Sequence, residues 1–304
     1  MPKTKARFSF RRDAFLYLLL LLPVVYFVLF RYVPMYGVTI AFKDFNIFSG
    51  IWASDWNGWA QFQEIFSTRE FYQVVRNTLV LNVLDLVVGF PFPLFLALVI
   101  NEVRSRRYKK TVQTLIYLPH FLSWVIVGGL VLQVLAPDKG LVNIVLKSLG
   151  MAQIDFLTNG PHWVATYVAV GIWQSAGWGT ILFLAAMTGI SPELYEAAEV
   201  DGASRWQRIW KITVPSLTPV IVLLFVLQVG RLTSISFDRP FILGNPLVND
   251  YAQVISTYVY DVGLKSMRFN IATAVGLFQS LVGLVLLLLT NWMAERNGQE
   301  GIYK

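Results

Sequence analysis

Ser191-Pro-Glu-Leu-Tyr-Glu196-Ala197-Ala198-Glu-Val-Asp201-Gly202-Ala203-Ser-Arg-Trp-Gln-Arg-Ile-Trp-Lys-Ile212-Thr-Val-Pro215 is a polar connection too ordered to be a mere link. It reads as two short helices with a glycine between them. Ser191 suits an N-cap, Pro192 the first turn, and Glu193 the positive end of the first helix. Gly202 supplies a turn that other residues resist. Asp201 is placed to cap the second helix, on which Trp206, Ile209 and Trp210 share one face and Arg205, Arg208 and Lys211 another. Pro215 is expected to end that helix. Such an element lies along a membrane surface with one face in protein or lipid and the other offered to a partner.

On both sides of this connection the sequence turns apolar. A bilayer core about 30 Å thick needs about 20 apolar residues per helix, because every backbone N–H and C=O has to be paired inside the segment. Stretches at about 14–33, 77–100, 112–135, 162–189, 217–237 and 270–293 meet that test, leaving 190–216 as the connection. The expected fold is an all-α integral membrane protein with six transmembrane helices in a single permease unit, 1–304. The connection at about 34–76 is too short for an independent core of ordinary size. The first span follows a basic stretch but leads into Arg31-Tyr-Val-Pro34 and not a small-residue cleavage site, so it is read as an uncleaved helix.

Composition agrees: 56% of the 304 residues are hydrophobic and 14% charged. The lack of cysteine excludes disulfides, thiolate catalysis and Cys-type zinc sites. With His120 and His162 the only histidines, a histidine metal cluster is not expected. The net charge of +7 is a topology signal and not a nucleic-acid footprint: fifteen of the 25 lysines and arginines fall on the amino terminus (Lys3, Lys5, Arg7, Arg11, Arg12), on 101–111, on 190–216 and on the tail (Arg296, Lys304). Cations collect on the cytoplasmic side, where they meet anionic lipid, so both termini and 190–216 are expected there. Trp52, Trp56 and Trp59 with Tyr32 and Tyr36 then form an interfacial belt on the other side, or stack on sugar.

The spacing Glu196-Ala197-Ala198, three residues, Gly202, nine residues, Ile212, one residue, Val214-Pro215 resembles the EAA loop of binding-protein-dependent ABC importer permeases, with Val214 where leucine is usual. Arg31–Gly37, Tyr117–Trp124, Thr257–Tyr260 and Ala272–Phe278 are similar to the subgroup that imports oligosaccharides, including those of alginate and pectin. The resemblance implies a type I importer permease fold with a cytoplasmic coupling helix. It implies that Glu196 meets a basic group of an ATPase, that Ala197 and Ala198 allow close approach, and that Gly202 makes the bend. Asp201, Ala203, Ile212 and Pro215 complete the coupling set. It also implies partners: two ATPase subunits carrying ATP and magnesium, a second similar permease, and a periplasmic or extracellular solute-binding protein delivering an oligosaccharide. This sequence contains no GxxxxGK[ST] phosphate loop and is expected to be neither an enzyme nor a cofactor binder.

A charge within the bilayer costs about 2.5–3.5 kcal/mol on insertion scales, so polar groups in the spans need a reason. Asn82 and Asp85, one turn apart before Pro91 and Pro93, either face the pore or bond a neighbouring helix. Gln228, Arg231 and Ser234 recur every three residues and are expected to share one face of the fifth span, Gln228 being placed to bond hydroxyls. Arg231 either attracts an acidic sugar or pairs with Asp85 or Asp238. Trp173, Gln174 and Trp178 accompany Gly171, Gly177 and Gly179. The indoles either stack on pyranose rings or are ordinary membrane residues, and the glycines permit close helix approach. Two rival classes remain: an ion-coupled secondary transporter, which calls for inverted repeats and midplane carboxylates, and an intramembrane enzyme, for which no nucleophile with a base is present. An ABC permease for a non-sugar solute is the nearer alternative.

Overall fold

The computed structural model describes residues 14–296. The amino-terminal cations Lys3 to Arg12 and Lys304 lie outside them. Among the described residues the longer helices are α1 (Ala14–Phe42), α2 (Ala60–Ser67), α3 (Arg69–Asn101), α4 (Arg106–Phe121), α5 (Trp124–Leu135), α6 (Leu141–Ser148), α7 (Gly160–Met187), α8 (Pro192–Val200), α9 (Arg205–Gly230), α10 (Asp238–Leu243), α11 (Ile255–Tyr260) and α12 (Phe269–Arg296). No strand occurs among the described residues; Lys43 and Trp56 form an isolated bridge.

Five of the expected spans are continuous helices, α1, α3, α7, α9 and α12. The third, expected at 112–135, is instead α4 and α5 meeting at 103°. The cause is local. Leu118–Phe121 tightens to a 3-10 turn that includes Pro119, Leu122 is extended, and the Ser123 hydroxyl accepts from Ile126 N–H at 3.4 Å, starting a new helix. The fifth span also differs from 217–237: it begins at Arg205 and ends at Gly230. Arg231 already closes its last turn, so Gln228, Arg231 and Ser234 do not share a helical face.

Three of the spans cross a proline in the same way. A proline removes one backbone donor and presses on the carbonyl four residues back. Before Pro34, Pro91 and Pro215 the helix widens into a π turn, Val28–Tyr32, Asp85–Gly89 and Ile209–Thr213. In each, the residue ahead of the proline donates to the carbonyl five residues back: Val33 to Val28, Phe90 to Asp85, Val214 to Ile209. The helix therefore continues through Pro215, which was expected to end it.

Two buried clusters sit toward one end of the bundle. Leu81, Val127, Trp163, Tyr167 and Val254 join α3, α5 and α7 to the segment after α10. Phe62, Phe71, Val74, Tyr258 and Val275 join α2, α3, α11 and α12. At the other end Ala97, Phe183, Met187 and Leu217 join α3, α7 and α9 beside the 190–216 connection. No residue from 14 to 40 is buried; α1 meets α12 through Tyr36–Phe42. Of the aromatics expected to form an interfacial belt, Trp52 stacks on Tyr36 with ring centroids 4.5 Å apart, Lys43 Nζ lies 4.9 Å from the Trp56 ring, and Trp59 packs on Phe42 and Phe62.

Glycines set the approach of α7 to its neighbours. A Cβ on Gly177 would run into the Ile116 carbonyl of α4, and one on Gly179 would lie 2.9 Å from Pro93 Cγ of α3. Gly177→Val is expected to lower stability by about 1–3 kcal/mol, whereas Gly276→Ala, where a Cβ meets nothing within 4 Å, should be neutral. Thermal unfolding of the detergent-solubilised protein checks both, and equal midpoints for the two variants would contradict the packing described.

Candidate functional site

The 190–216 connection is a hairpin of α8 and the start of α9. Pro192 stands in the first turn of α8 with Glu193 beside it, and Ser191 holds the N-cap position without a side-chain cap bond. The end of α8 is closed by two backbone bonds, Ala203 N–H to Ala198 O at 2.8 Å and Gly202 N–H to Glu199 O at 3.1 Å. That pairing requires a left-handed residue between, and Gly202 has φ +74°. Asp201 ends the first helix and does not cap the second. The cap is Ser204, whose hydroxyl accepts from Gln207 N–H at 3.3 Å while Gln207 Oε1 accepts from Ser204 N–H at 2.7 Å. Asp201 lies before the glycine turn, too early to reach the first amides of α9.

Two side-chain bridges tie the arms together: Arg208 to Glu199 at 3.2 Å and the Tyr195 hydroxyl to Thr213 Oγ1 at 2.9 Å. Glu196, Ala197 and Pro215 are exposed, and Ala198, Ala203 and Ile212 half-buried. The expected apolar face splits. Ile209 is buried, but Trp206 and Trp210 are 68% and 60% exposed, as is Val200 at 89%. No residue of α8 is buried.

A second polar constellation lies inside the bundle. Asp85 stands midway along the 33-residue α3, on its π turn. Its partner is Arg239 of α10, neither Arg231 nor any cation of a span: Nη1 donates to Oδ2 at 2.7 Å and Nη2 to Oδ1 at 3.2 Å. Arg239 also donates to the Tyr167 carbonyl, and its guanidinium carbon lies 3.6 Å from the Tyr167 ring centroid and 5.6 Å from that of Trp124. Gly171 makes room, since a Cβ there would run into the guanidinium. A cavity of about 160 Å³ adjoins the pair, lined also by Asn82, Gln174 and Ser234. Tyr167 Oη and Arg239 Nε are buried there with no hydrogen-bond partner among the described residues.

Of the other expected path residues, Asn82 and Gln174 border this cavity, while Trp173, Trp178, Gln228 and Arg231 do not. Asn82 Nδ2 donates to Leu232 O, in the turn after α9, at 2.6 Å, and Gln174 Nε2 to His120 O at 3.4 Å. One face of Trp178 is covered by the His120 ring, 4.7 Å away and 8° from parallel. Trp173 and Arg231 are exposed, and Gln228 is half-buried near the end of α9. Arg239 was not singled out in the sequence because it sits just past the fifth expected span, 217–237, in the connection that leads to the sixth. The available signal was Phe237-Asp-Arg-Pro-Phe-Ile-Leu243, a short apolar turn returning toward the bundle.

Residues 89–299, which include the whole hairpin, match the family described as binding-protein-dependent transport system inner membrane component. The chain belongs to this family. It is an integral membrane permease subunit of an ABC importer, which removes the secondary transporter and the intramembrane enzyme as rivals. Among curated relatives, the polygalacturonan/rhamnogalacturonan transport system permease protein YteP of Bacillus subtilis is 45% identical over 292 residues, covering 96% of this chain and 91% of the relative. Protein LplB of the same organism is 42% identical, covering 97% and 93%. A subunit in the crystal structure of a bacterial alginate ABC transporter, in complex with an alginate pentasaccharide-bound periplasmic protein, superposes with a TM-score of 0.89 at 42% identity, covering 96% of this chain and 98% of that one.

Asp85 and Arg239 are both largely shielded, with side chains 21% and 12% exposed. Removing one partner strands the other charge, so Asp85→Asn and Arg239→Gln should each cost about 3–5 kcal/mol, and the double variant should recover more than half of that. Thermal midpoints of the three purified variants test this; strictly additive losses would show that the two side chains are not coupled.

Proposed function

We propose that this permease forms half of the pore of an ATP-driven importer of oligosaccharides, paired with a second, similar permease and driven by a separate ATPase dimer. A solute-binding protein delivers the sugar from the outer side. The termini and the 190–216 hairpin face the cytoplasm, where the hairpin seats in the ATPase. The carbohydrate assignment is supported by the relative YteP, whose name carries both polygalacturonan and rhamnogalacturonan, and by the alginate transporter.

The observation that carries the coupling is mechanical. A nine-residue helix with no buried residue offers Glu196 and the small Ala197 outward, yet it is pinned to α9 by the Glu199–Arg208 and Tyr195–Thr213 bridges. The helix α9 then runs unbroken from Arg205 into the bilayer as far as Gly230. A displacement of α8 by a partner is thus delivered to a transmembrane span without a flexible joint. The alanines let a partner approach closely, and Glu196 offers it a single charge for an ion pair. ATP binding closes the ATPase dimer, the hairpin follows, and the span rotates about the sugar path.

Glu196→Lys and Gly202→Pro should leave membrane insertion unchanged and abolish uptake in proteoliposomes. Normal uptake by both would refute the coupling role. This chain purified alone should hydrolyse no ATP above background in a phosphate-release assay; robust hydrolysis by it would show that the energy source had been misassigned.

A further inference from the structure

At the end of α3 far from the hairpin, a cavity of about 360 Å³ is lined by Arg69, Gln73, Arg76, Asp250 and Tyr251. Arg69, Gln73 and Arg76 follow each other at spacings of four and three residues, which puts them on one face of the helix. Ala97 of the same helix packs with Leu217 beside the hairpin, so the cavity lies about 40 Å from it along α3. Val164 of α7 also lines the cavity, and Gly160 at the start of α7 lets the Tyr251 ring lie close, because a Cβ there would run into it.

The polar groups of this cavity are unevenly used. Arg76 donates Nε and Nη2 to Asn77 Oδ1 and Nη2 to Asp250 O at 3.1 Å, so Nη1 stays free. Gln73 Nε2 donates to Asp250 Oδ1 at 3.3 Å. Arg69 is exposed and makes no hydrogen bond or ion pair among the described residues. Two guanidiniums against one carboxylate leave an excess positive charge, with planar donors beside an exposed aromatic ring. Guanidinium forks match carboxylates in two parallel bonds, and a ring face suits a pyranose.

We infer that this cavity is an outer-mouth subsite for the carboxylate of a uronate-bearing oligosaccharide, Arg69 and Arg76 holding the anion and Tyr251 flanking the sugar ring. The inference rests on the oligosaccharide-importer reading and adds to it a place and a charge preference. The same anionic oxygens could come from a phospholipid headgroup, so the test separates the two sources.

The complete importer, reconstituted in proteoliposomes with its binding protein and ATPase, is assayed for uptake of trigalacturonate and of its full methyl ester. Because the binding protein is the same throughout, a change in preference on mutating this chain belongs to this chain. Arg69→Gln should lower the acid-to-ester ratio of kcat/KM about tenfold, mainly through KM for the acid. Arg69→Lys should retain part of it. An unchanged ratio, or a wild-type importer that does not favour the acid, overturns the subsite. So does native mass spectrometry in which Arg69→Gln loses a bound anionic phospholipid while the sugar preference stays put. Absence of ATP-driven uptake of any oligosaccharide by the wild type would instead bring down the importer reading, whatever the arginines do.

Discussion

In lipid a backbone group without a partner costs several kcal/mol, and this constraint governs how the spans accommodate proline. Pro34, Pro91 and Pro215 each sit inside a helix that has to stay continuous to cross the bilayer. The π turn ahead of each lets the preceding amide reach one residue further back, to Val28, Asp85 and Ile209, so the helix goes on. The consequence is largest at Pro215. Had the helix stopped there, the hairpin would hang from the bundle by a loop. As it is, Arg205–Gly230 is one rod with its foot outside the bundle.

The same device places Asp85. A π turn is wider than an α turn, and it puts this carboxylate where Arg239 of the short helix α10 can meet it with two nitrogens. The pair is formally neutral, and Tyr167 and Trp124 cover the guanidinium with ring faces. That combination explains how a carboxylate sits midway along a membrane helix at an acceptable cost. It also fixes α10 against α3 and α7, although α10 follows the last residue of α9 by several positions and belongs to no span.

The parts of the fold that were legible in the sequence are those set by burial of backbone in lipid: long apolar runs, and a polar hairpin between two of them. The glycine at 202 was legible because the closing bonds of α8 demand a left-handed residue there. What could not be read follows from interactions between distant segments. Leu118-Pro-His-Phe-Leu-Ser-Trp124 is apolar enough to pass as span, yet a serine cap and a 3-10 turn bend it by 103°. The carboxylate at 85 was marked by its cost, but its partner was sought among span residues, while the cation arrived from a segment that looked external. Asp201 and Ser204 compete for one capping role, and spacing alone does not show that α9 starts at Arg205.

The helix α7 connects the two polar regions. It leaves the hairpin at Met187, holds α3 through the Thr180 hydroxyl on Pro93 O at 3.3 Å, touches the α4 backbone at Gly177, and passes the Arg239 guanidinium at Gly171. Each contact depends on a small or hydroxylated residue at close range, so none can absorb much sliding. Leu217 of α9 packs with Phe183 and Met187 of α7, and further along α7 the Tyr167 carbonyl accepts from Arg239. The hairpin end and the ion pair therefore share no residue but are joined by one continuous, closely packed helix.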